Sequence, residues 1–360
     1  MKKYQRFISK LYIKNFLLIF ISLELFFVGM DLLDNLKGVS SSANLQILYA
    51  TNQLLYYVNF TLPLSLIFAM LLTVFTILKT NELVAMYALG ISKKDVIKPI
   101  FVISSIVTFS YILLNFVPDF VYAYEKSKNI KRYNSPYTAT KSLFLKSDDS
   151  YAYIETLHPV QKRGENLKIF IIKNYKLTEI LEAKEAIFKD NYWSLQDVHS
   201  IKVLNSDINA KKQKLLFENF KSKEVFHGFK PKIINTLFQK RSKLTIQDGI
   251  TAMIFLNSQN LNSDKIRANL YSMIFFPLFA PIIIYGLFFP LPAQRRGTNI
   301  ALLNTIFIST ILSIWGTLFA FTQMSENGAI LAEIAIILPI IILAFSAWFV
   351  SKKYQMKHML

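Results

Sequence analysis

Lys79-Thr80-Asn81-Glu82-Leu83-Val84-Ala85-Met86-Tyr87-Ala88-Leu89-Gly90-Ile91-Ser92-Lys93-Lys94-Asp95 stands between two long apolar runs. It reads as a helix of about two turns with marked ends. Thr80 or Asn81 offers a side-chain oxygen to the first free backbone N–H groups. Glu82 sets a negative charge at the positive end of the helix dipole. Gly90 stops the helix, because only glycine takes the left-handed cap conformation without penalty. Ser92-x-x-Asp95 is a capping-box start for the next helix. Leu83, Met86, Tyr87 and Leu89 keep apolar surface on a segment that hydropathy places outside a bilayer. A helix this short is marginal alone, since isolated helices need roughly 12–15 residues. Either it docks against something, or it is a tight connector on the membrane surface.

Composition sets the class around it. The chain has 360 residues, 53% of them hydrophobic, and a formal charge of +18. That is too apolar for a soluble globular protein and too charged for a purely embedded one. It holds no cysteine, which excludes disulfides and thiolate metal sites. The basic balance suits anionic lipid or nucleic acid, and the positions of the charges decide which.

Before the quoted stretch, a basic start (Lys2, Lys3, Arg6, Lys10, Lys14) leads into an apolar run from Phe16 to Met30 that continues to Asp34. The run is long, carries Glu24 and lacks a small-x-small cleavage site, so it reads as a retained span rather than a signal peptide. Leu54–Leu78, with Pro63, is the second span, and Val96–Val117, closed by Pro118, is the third. Each is near the roughly 20 residues that cross a bilayer. An acid in mid-span costs about 2.5–3.5 kcal/mol on insertion scales, so Glu24 faces protein or water. It serves either a polar cavity or partner interface, or a helix–helix hydrogen bond.

From about Glu125 the pattern changes to period two. Tyr151–Glu155, Lys168–Lys173, Glu179–Phe188, Tyr192–Leu195, His199–Leu204 and Lys214–Phe217 read as strands. Turn signals stand at Arg163-Gly164, Lys173-Asn174, Asp190-Asn191 and Ser206-Asp207. Short strands with hairpin-length gaps indicate an all-β sandwich or roll. Residues 125–240 carry 22 Lys and Arg against 13 Asp and Glu, a basic surface for anionic lipid or simply a solvated lysine-rich face. No RNP-like aromatic pair, zinc-finger spacing or glycine-rich clamp is present, so nucleic acid is not a partner.

Leu244–Asn257 reads as an amphipathic helix returning to the membrane. Ala268–Pro290, with kinks at Pro277 and Pro281, Ile300–Phe321 and Ala329–Val350 are spans four to six. The expected architecture is an α-helical membrane protein with six transmembrane helices (3+3) and one inserted all-β domain. Residues 1–124 carry spans one to three, with the short helix near 80–90; residues 125–243 are the insert; residues 244–360 carry spans four to six. Lys and Arg gather in the N-terminal tail, the 79–98 loop, Arg295-Arg296 and the C-terminal tail. Loop 31–53 holds only Lys37, and loop 323–328 holds none. Both termini and the short helix are therefore cytoplasmic, and the β domain lies outside the cytoplasmic membrane.

Enzymatic signatures are missing. No GxxxxGK[ST] loop is present, and His158, His199, His227 and His358 all fall outside the spans. No HExxH or GxSxG appears. The chain is expected to have no catalytic and no metal-binding residues. If it does energised work, another subunit supplies the energy, and a capped two-turn helix between spans suits a groove on an ATPase.

Three stretches together resemble the lipopolysaccharide-export permeases of the LptF/LptG type over nearly the whole length. They are Asn81–Ser92, then Ala183-Lys184-Glu185-Ala186 with Tyr192-Trp193-Ser194-Leu195, then Asn269–Leu278 with Pro290-Leu291-Pro292 through Arg296-Gly297. Asp31-Leu32-Leu33-Asp34-Asn35-Leu36-Lys37 is closer to LptG. The resemblance implies that the insert is a periplasmic β-jellyroll and that the chain is a multi-pass inner-membrane protein of a Gram-negative bacterium. It implies a heterodimer with a paralogous six-span LptF-like permease, standing on a cytoplasmic ATPase dimer that uses ATP and Mg. No cofactor is bound by the chain itself. Lipopolysaccharide would leave the membrane for the jellyroll and pass to LptC/LptA-like β-jellyroll proteins, joined by strand addition at an open sheet edge.

By the same resemblance Glu82 contacts the ATPase, Leu83, Met86 and Tyr87 fill its groove, and Gly90 ends the coupling helix. Glu24, Phe26, Lys37, Arg267 and Met273 line the substrate cavity. Relatives often carry a lysine at the position of Met273 and can carry a base at that of Asp31. Lys37 and Arg267 thus remain to meet phosphate, unless Arg267 is an interfacial anchor that snorkels to water. Two other readings stay open: a subunit that transmits ATPase motion without moving lipid, and a membrane-anchored scaffold for a periplasmic partner.

Overall fold

The computed structural model describes residues 2–39, 42–136, 139–147, 150–159, 161–173, 176–204, 214–226, 230–231, 234, 243–258, 261–292 and 299–356. It divides into two compact units, Met1–Ser127 with Arg267–Leu360, and Lys128–Ile266. Among the described residues six helical segments are long and apolar enough to cross a membrane.

The first unit begins with α1 (Lys3–Asn35) and α2 (Ala43–Lys79). At 33 and 37 residues they are about 50 and 55 Å long, well beyond a hydrocarbon core of about 30 Å. The helices therefore run further than the apolar runs alone suggest. Next come α3 (Glu82–Ala88), α4 (Lys93–Leu114), α5 (Pro118–Val121) and α6 (Ala123–Tyr133), the last crossing into the second unit. The fourth span is broken: α8 (Asp264–Ile274), a 3-10 turn at Phe276–Leu278, then α9 (Phe279–Phe288). The break falls at Pro277, as expected. Pro281 makes none, because it lies in the first turn of α9, where a missing N–H breaks no helical bond. Helix α10 (Ile300–Glu326) is the fifth span. The sixth opens with a π turn at Glu333–Ile337 before α11 (Leu338–Met356).

Both halves of the chain build one core. Ile8 and Tyr12 of α1, Leu66, Ile67 and Met70 of α2 and Ile100 of α4 are buried together with Phe279 and Ile284 of α9 and Ile311 of α10. Helix α9 lies against α11 with no clearance. A Cβ built on Gly286 would stand 2.9 Å from the Ala347 Cβ, so a glycine is required for the two backbones to approach.

The second unit is a six-stranded antiparallel sheet in sequential order β1–β2–β3–β4–β5–β6. The strands are Thr140–Ser147, Ser150–His158, Arg163–Lys173, Lys176–Lys189, Tyr192–Leu204 and Lys214–Val225. The insert is thus all-β, with its strands joined as a meander. Four details differ from the sequence reading. β1 was not anticipated, although Leu143 and Leu145 alternate and are buried. Arg163-Gly164 opens β3 instead of turning, and Lys162 before it takes the positive φ of 53°. Tyr192–Leu195 and His199–Leu204 are one strand: Asp197, at φ 51°, departs from the extended conformation and breaks the alternation, while the pairs Ala183 with Val198 and Glu185 with Gln196 keep the same register on either side of it. Asp190-Asn191 is a hairpin turn with both φ positive, as read. Asn174, Ser206 and Asp207 lie outside the described residues.

One face of the sheet carries Leu143, Ile154, Leu167, Ile169, Leu181, Leu195, Val198 and Trp193. Helix α7 (Ile246–Ser258) belongs to this unit, with Phe255 against that core. The helix read as returning to the membrane is therefore packed with the sheet. Towards β6 the same face turns polar. Glu179 accepts hydrogen bonds from Lys223 at 2.8 Å and Ser200 at 2.6 Å. Burial pushes its carboxyl up, but these bonds outweigh burial and hold it below the usual carboxylate value.

Two outcomes follow from this packing. Gly286→Ala should destabilise the full-length protein in detergent by about 1–3 kcal/mol, with most of it regained when Ala347→Gly is added. Thermal unfolding of the four members of the cycle reads this. The depressed Glu179 stabilises the folded chain above the ordinary carboxylate range, and this is lost as pH falls through its folded value. Glu179→Gln should therefore melt below wild type at pH 7, with the gap closing as pH drops below about 4.

Candidate functional site

Helix α3 has seven residues, and both of its ends are built locally. Its start is not the side-chain cap expected from Thr80 or Asn81. The Thr80 hydroxyl turns back to the Thr76 and Ile77 carbonyls, each at 3.2 Å. Asn81 adopts the left-handed conformation, φ 59°, and makes no side-chain cap bond. Asparagine tolerates that conformation, and it separates α2 from α3. The end agrees with the sequence. Gly90, at φ 78°, donates to the Tyr87 carbonyl at 2.9 Å, and Ile91 donates to the Met86 carbonyl at 3.1 Å. This is a Schellman closure. Ser92 then caps α4, accepting from the Asp95 N–H and donating to the Asp95 carboxylate at 2.7 Å.

The faces of α3 divide the predicted coupling residues. Leu83 and Met86 are 2% and 8% exposed and belong to the core of the membrane unit. Tyr87 packs against that core, and burial pushes its phenol well above the ordinary value. Glu82 is half-buried in the first turn. The outward surface consists of Asn81, Ala85, Ala88, Gly90 and Leu89, the last 80% exposed. Sequence reasoning grouped Leu89 with the apolar set but did not single it out. Leu89 is the C-cap residue, just past the last turn of α3, four residues on from the exposed Ala85.

The predicted cavity residues take separate roles. Glu24 is buried, and its Oε2 accepts from the Thr61 hydroxyl at 2.5 Å. Its Oε1 is also buried and accepts from no described residue. Phe26 is exposed, edge-on to Phe27 with centroids 5.6 Å apart. Lys37 is exposed in the turn after α1. Arg267 pairs with Glu333 at 2.9 Å, tying α8 to the π turn of the sixth span. Met273 is buried.

The sequence reading missed a polar hub at Asp31. Its Oδ2 accepts from Tyr49 at 2.7 Å and Gln53 at 2.7 Å; its Oδ1 accepts from Asn35 at 2.9 Å and Tyr57 at 3.2 Å. Four neutral donors occupy all the lone-pair sites of the carboxylate. The signal was present: Tyr49, Gln53 and Tyr57 recur every four residues, one stripe of a helix. A string of rings continues from it, Phe27 on Tyr57 at 5.8 Å, and Tyr56 against both Phe60 at 5.4 Å and Tyr124 at 4.7 Å. Phe60 then meets Phe319, stacked on Trp315. Among the described residues no group of three His, Cys, Asp or Glu could hold a metal.

Six spans with a β domain inserted between the third and fourth, and a short helix rooted between the second and third, define a polytopic membrane protein. The chain belongs to the lipopolysaccharide export system permease family LptF/LptG, whose sequence pattern matches residues 6–353. It is accordingly a multi-pass inner-membrane protein of lipopolysaccharide export. No curated protein matches the sequence.

The two faces of α3 separate by mutation. Leu83→Ala should cost about 2–5 kcal/mol of stability, whereas Leu89→Ala should stay within about 0.5 kcal/mol of wild type. Equal melting temperatures for the two variants would show that the inner face is not buried.

Proposed function

We propose that the chain is the permease subunit of an ATP-driven lipopolysaccharide exporter, closer to LptG than to LptF, coupled through α3 to a cytoplasmic ATPase dimer. The observation that carries this reading is the two-sided α3. Leu83 and Met86 root it in the membrane core, and Leu89, Ala85 and Ala88 face outward beside the partly exposed Glu82. A helix held on one side and bare on the other transmits displacement from a bound partner into the spans.

The asymmetry of lysine and arginine among the short loops supports cytoplasmic termini and a cytoplasmic α3, with the β domain periplasmic. ATP and Mg belong to the partner ATPase. A paralogous LptF-like permease completes the membrane cavity, to which Glu24, Phe26, Lys37, Arg267 and Met273 contribute. Lipopolysaccharide drawn from the inner membrane passes to the sheet and then to LptC/LptA-like β-proteins. β6 suits that junction, because among the described strands it pairs with β5 alone and exposes Leu215 and Phe217. Unpaired backbone groups on such an edge accept an added strand.

Extraction from the native membrane in mild detergent tests the reading. A cytoplasmic ATPase and a second six-span permease should co-purify. Leu89→Glu and Glu82→Ala should each lower ATPase recovery about tenfold. Wild-type recovery with both variants would remove α3 as the contact, and recovery of the chain with periplasmic partners alone would favour a scaffold.

A further inference from the structure

Lys93 is the first residue of α4, three positions after Gly90. Its ammonium donates to the Phe289 carbonyl at 3.1 Å and to the Leu291 carbonyl at 3.2 Å, across 196 and 198 residues of chain. Both carbonyls belong to the turn that closes α9. A helix end leaves its last carbonyls without intrahelical partners and carries the negative pole of the dipole, so a lysine is suited to it. Phe288, Phe289 and Leu291 beside these carbonyls are buried in the same core as Leu83 and Met86. Lys94, the next residue, is exposed.

The segment that carries α3 is joined covalently to α2 and α4, both in the first half of the chain, and Leu83 and Met86 pack into the core that both halves share. Lys93 adds a polar link from this segment to the second half. Apolar packing is non-directional, whereas an ammonium held between two carbonyls resists separation along a defined direction. We infer that Lys93 is a positioning residue that makes the end of the fourth span move with α3, so that one push on the short helix displaces both halves of the membrane unit. This rests on the ATPase-coupled reading above.

The test uses the complete complex of this chain, the second permease and the ATPase, in proteoliposomes containing lipopolysaccharide. Lys93→Met keeps the length of the side chain and removes its donors; Lys93→Arg keeps donors. Lys93→Met should assemble, hydrolyse ATP within about twofold of wild type and release about fivefold less lipopolysaccharide per ATP, with most of the loss regained in Lys93→Arg. Wild-type release per ATP in Lys93→Met overturns the inference. So does a loss of assembly, or a deficit that arginine does not repair, since either marks a structural role alone. A second measurement does not depend on transport. The chain has no native cysteine, so spin labels at Lys94→Cys and Pro292→Cys report the distance across the tie in the complex. That distribution should broaden in Lys93→Met, and an unchanged one overturns the inference. Absence of ATP-driven release from the wild-type complex would instead retire the transport reading, with the label distances still deciding the tie.

Discussion

The burial of Leu83 and Met86 against the membrane bundle is the interaction from which the coupling geometry follows. Seven residues cannot hold a helix in water, so α3 exists only while its inner face is covered. Its ends cooperate with that burial. Asn81 turns the chain out of α2 in a left-handed conformation, and Gly90 turns it into α4 with another. These two left-handed residues bound the short helix, whose inner face lies in the core while Ala85, Ala88 and Leu89 stay exposed.

Within the membrane the hydrophobic effect does not distinguish one apolar helix face from another, so polar ties set the alignment of the spans. Between α1 and α2 these ties come at several levels: Asn15 with Thr73, Glu24 with Thr61, and Asp31 with Tyr49, Gln53 and Tyr57. Tyr12 adds a bond to the Leu66 carbonyl. Glu24 thus has the helix–helix role that was one of its two sequence readings, and the uncommitted Oε1 leaves the other in place. The Asp31 hub sits where both helices extend beyond the apolar runs, and it holds a carboxylate there without a described cation.

Much of this was legible before any coordinates. The spans follow from apolar runs of membrane length, the insert from period-two alternation, and the end of α3 from Gly90. Boundaries were harder. The helices continue past their apolar cores because polar residues there find partners that hydropathy does not record: Gln53 donates to Asp31 of α1, and Asn52 to the Leu48 carbonyl of its own helix. Tyr192–Leu204 is one strand where the pattern suggests two, since the left-handed residue Asp197 disrupts the period that identifies a strand while the pairing runs on. The capping error at Thr80 has a similar origin, because a threonine can bond backward as readily as forward. For the site, residue type identified α3 but not its outward face. Which apolar residues stay exposed depends on the core that α3 shares with both halves of the chain, Phe279 and Ile284 of α9 among it, almost two hundred positions away in sequence.

The contact of Gly286 with Ala347 bears on how such a chain can diverge. With no space for even a methyl group between α9 and α11, position 286 is closed to other residues while alanine stands at 347. A larger residue in α9 becomes acceptable only after α11 has given up its own side chain, so the order of substitution matters. The two positions form a historical pair, and related permeases should exchange size between them rather than vary each alone.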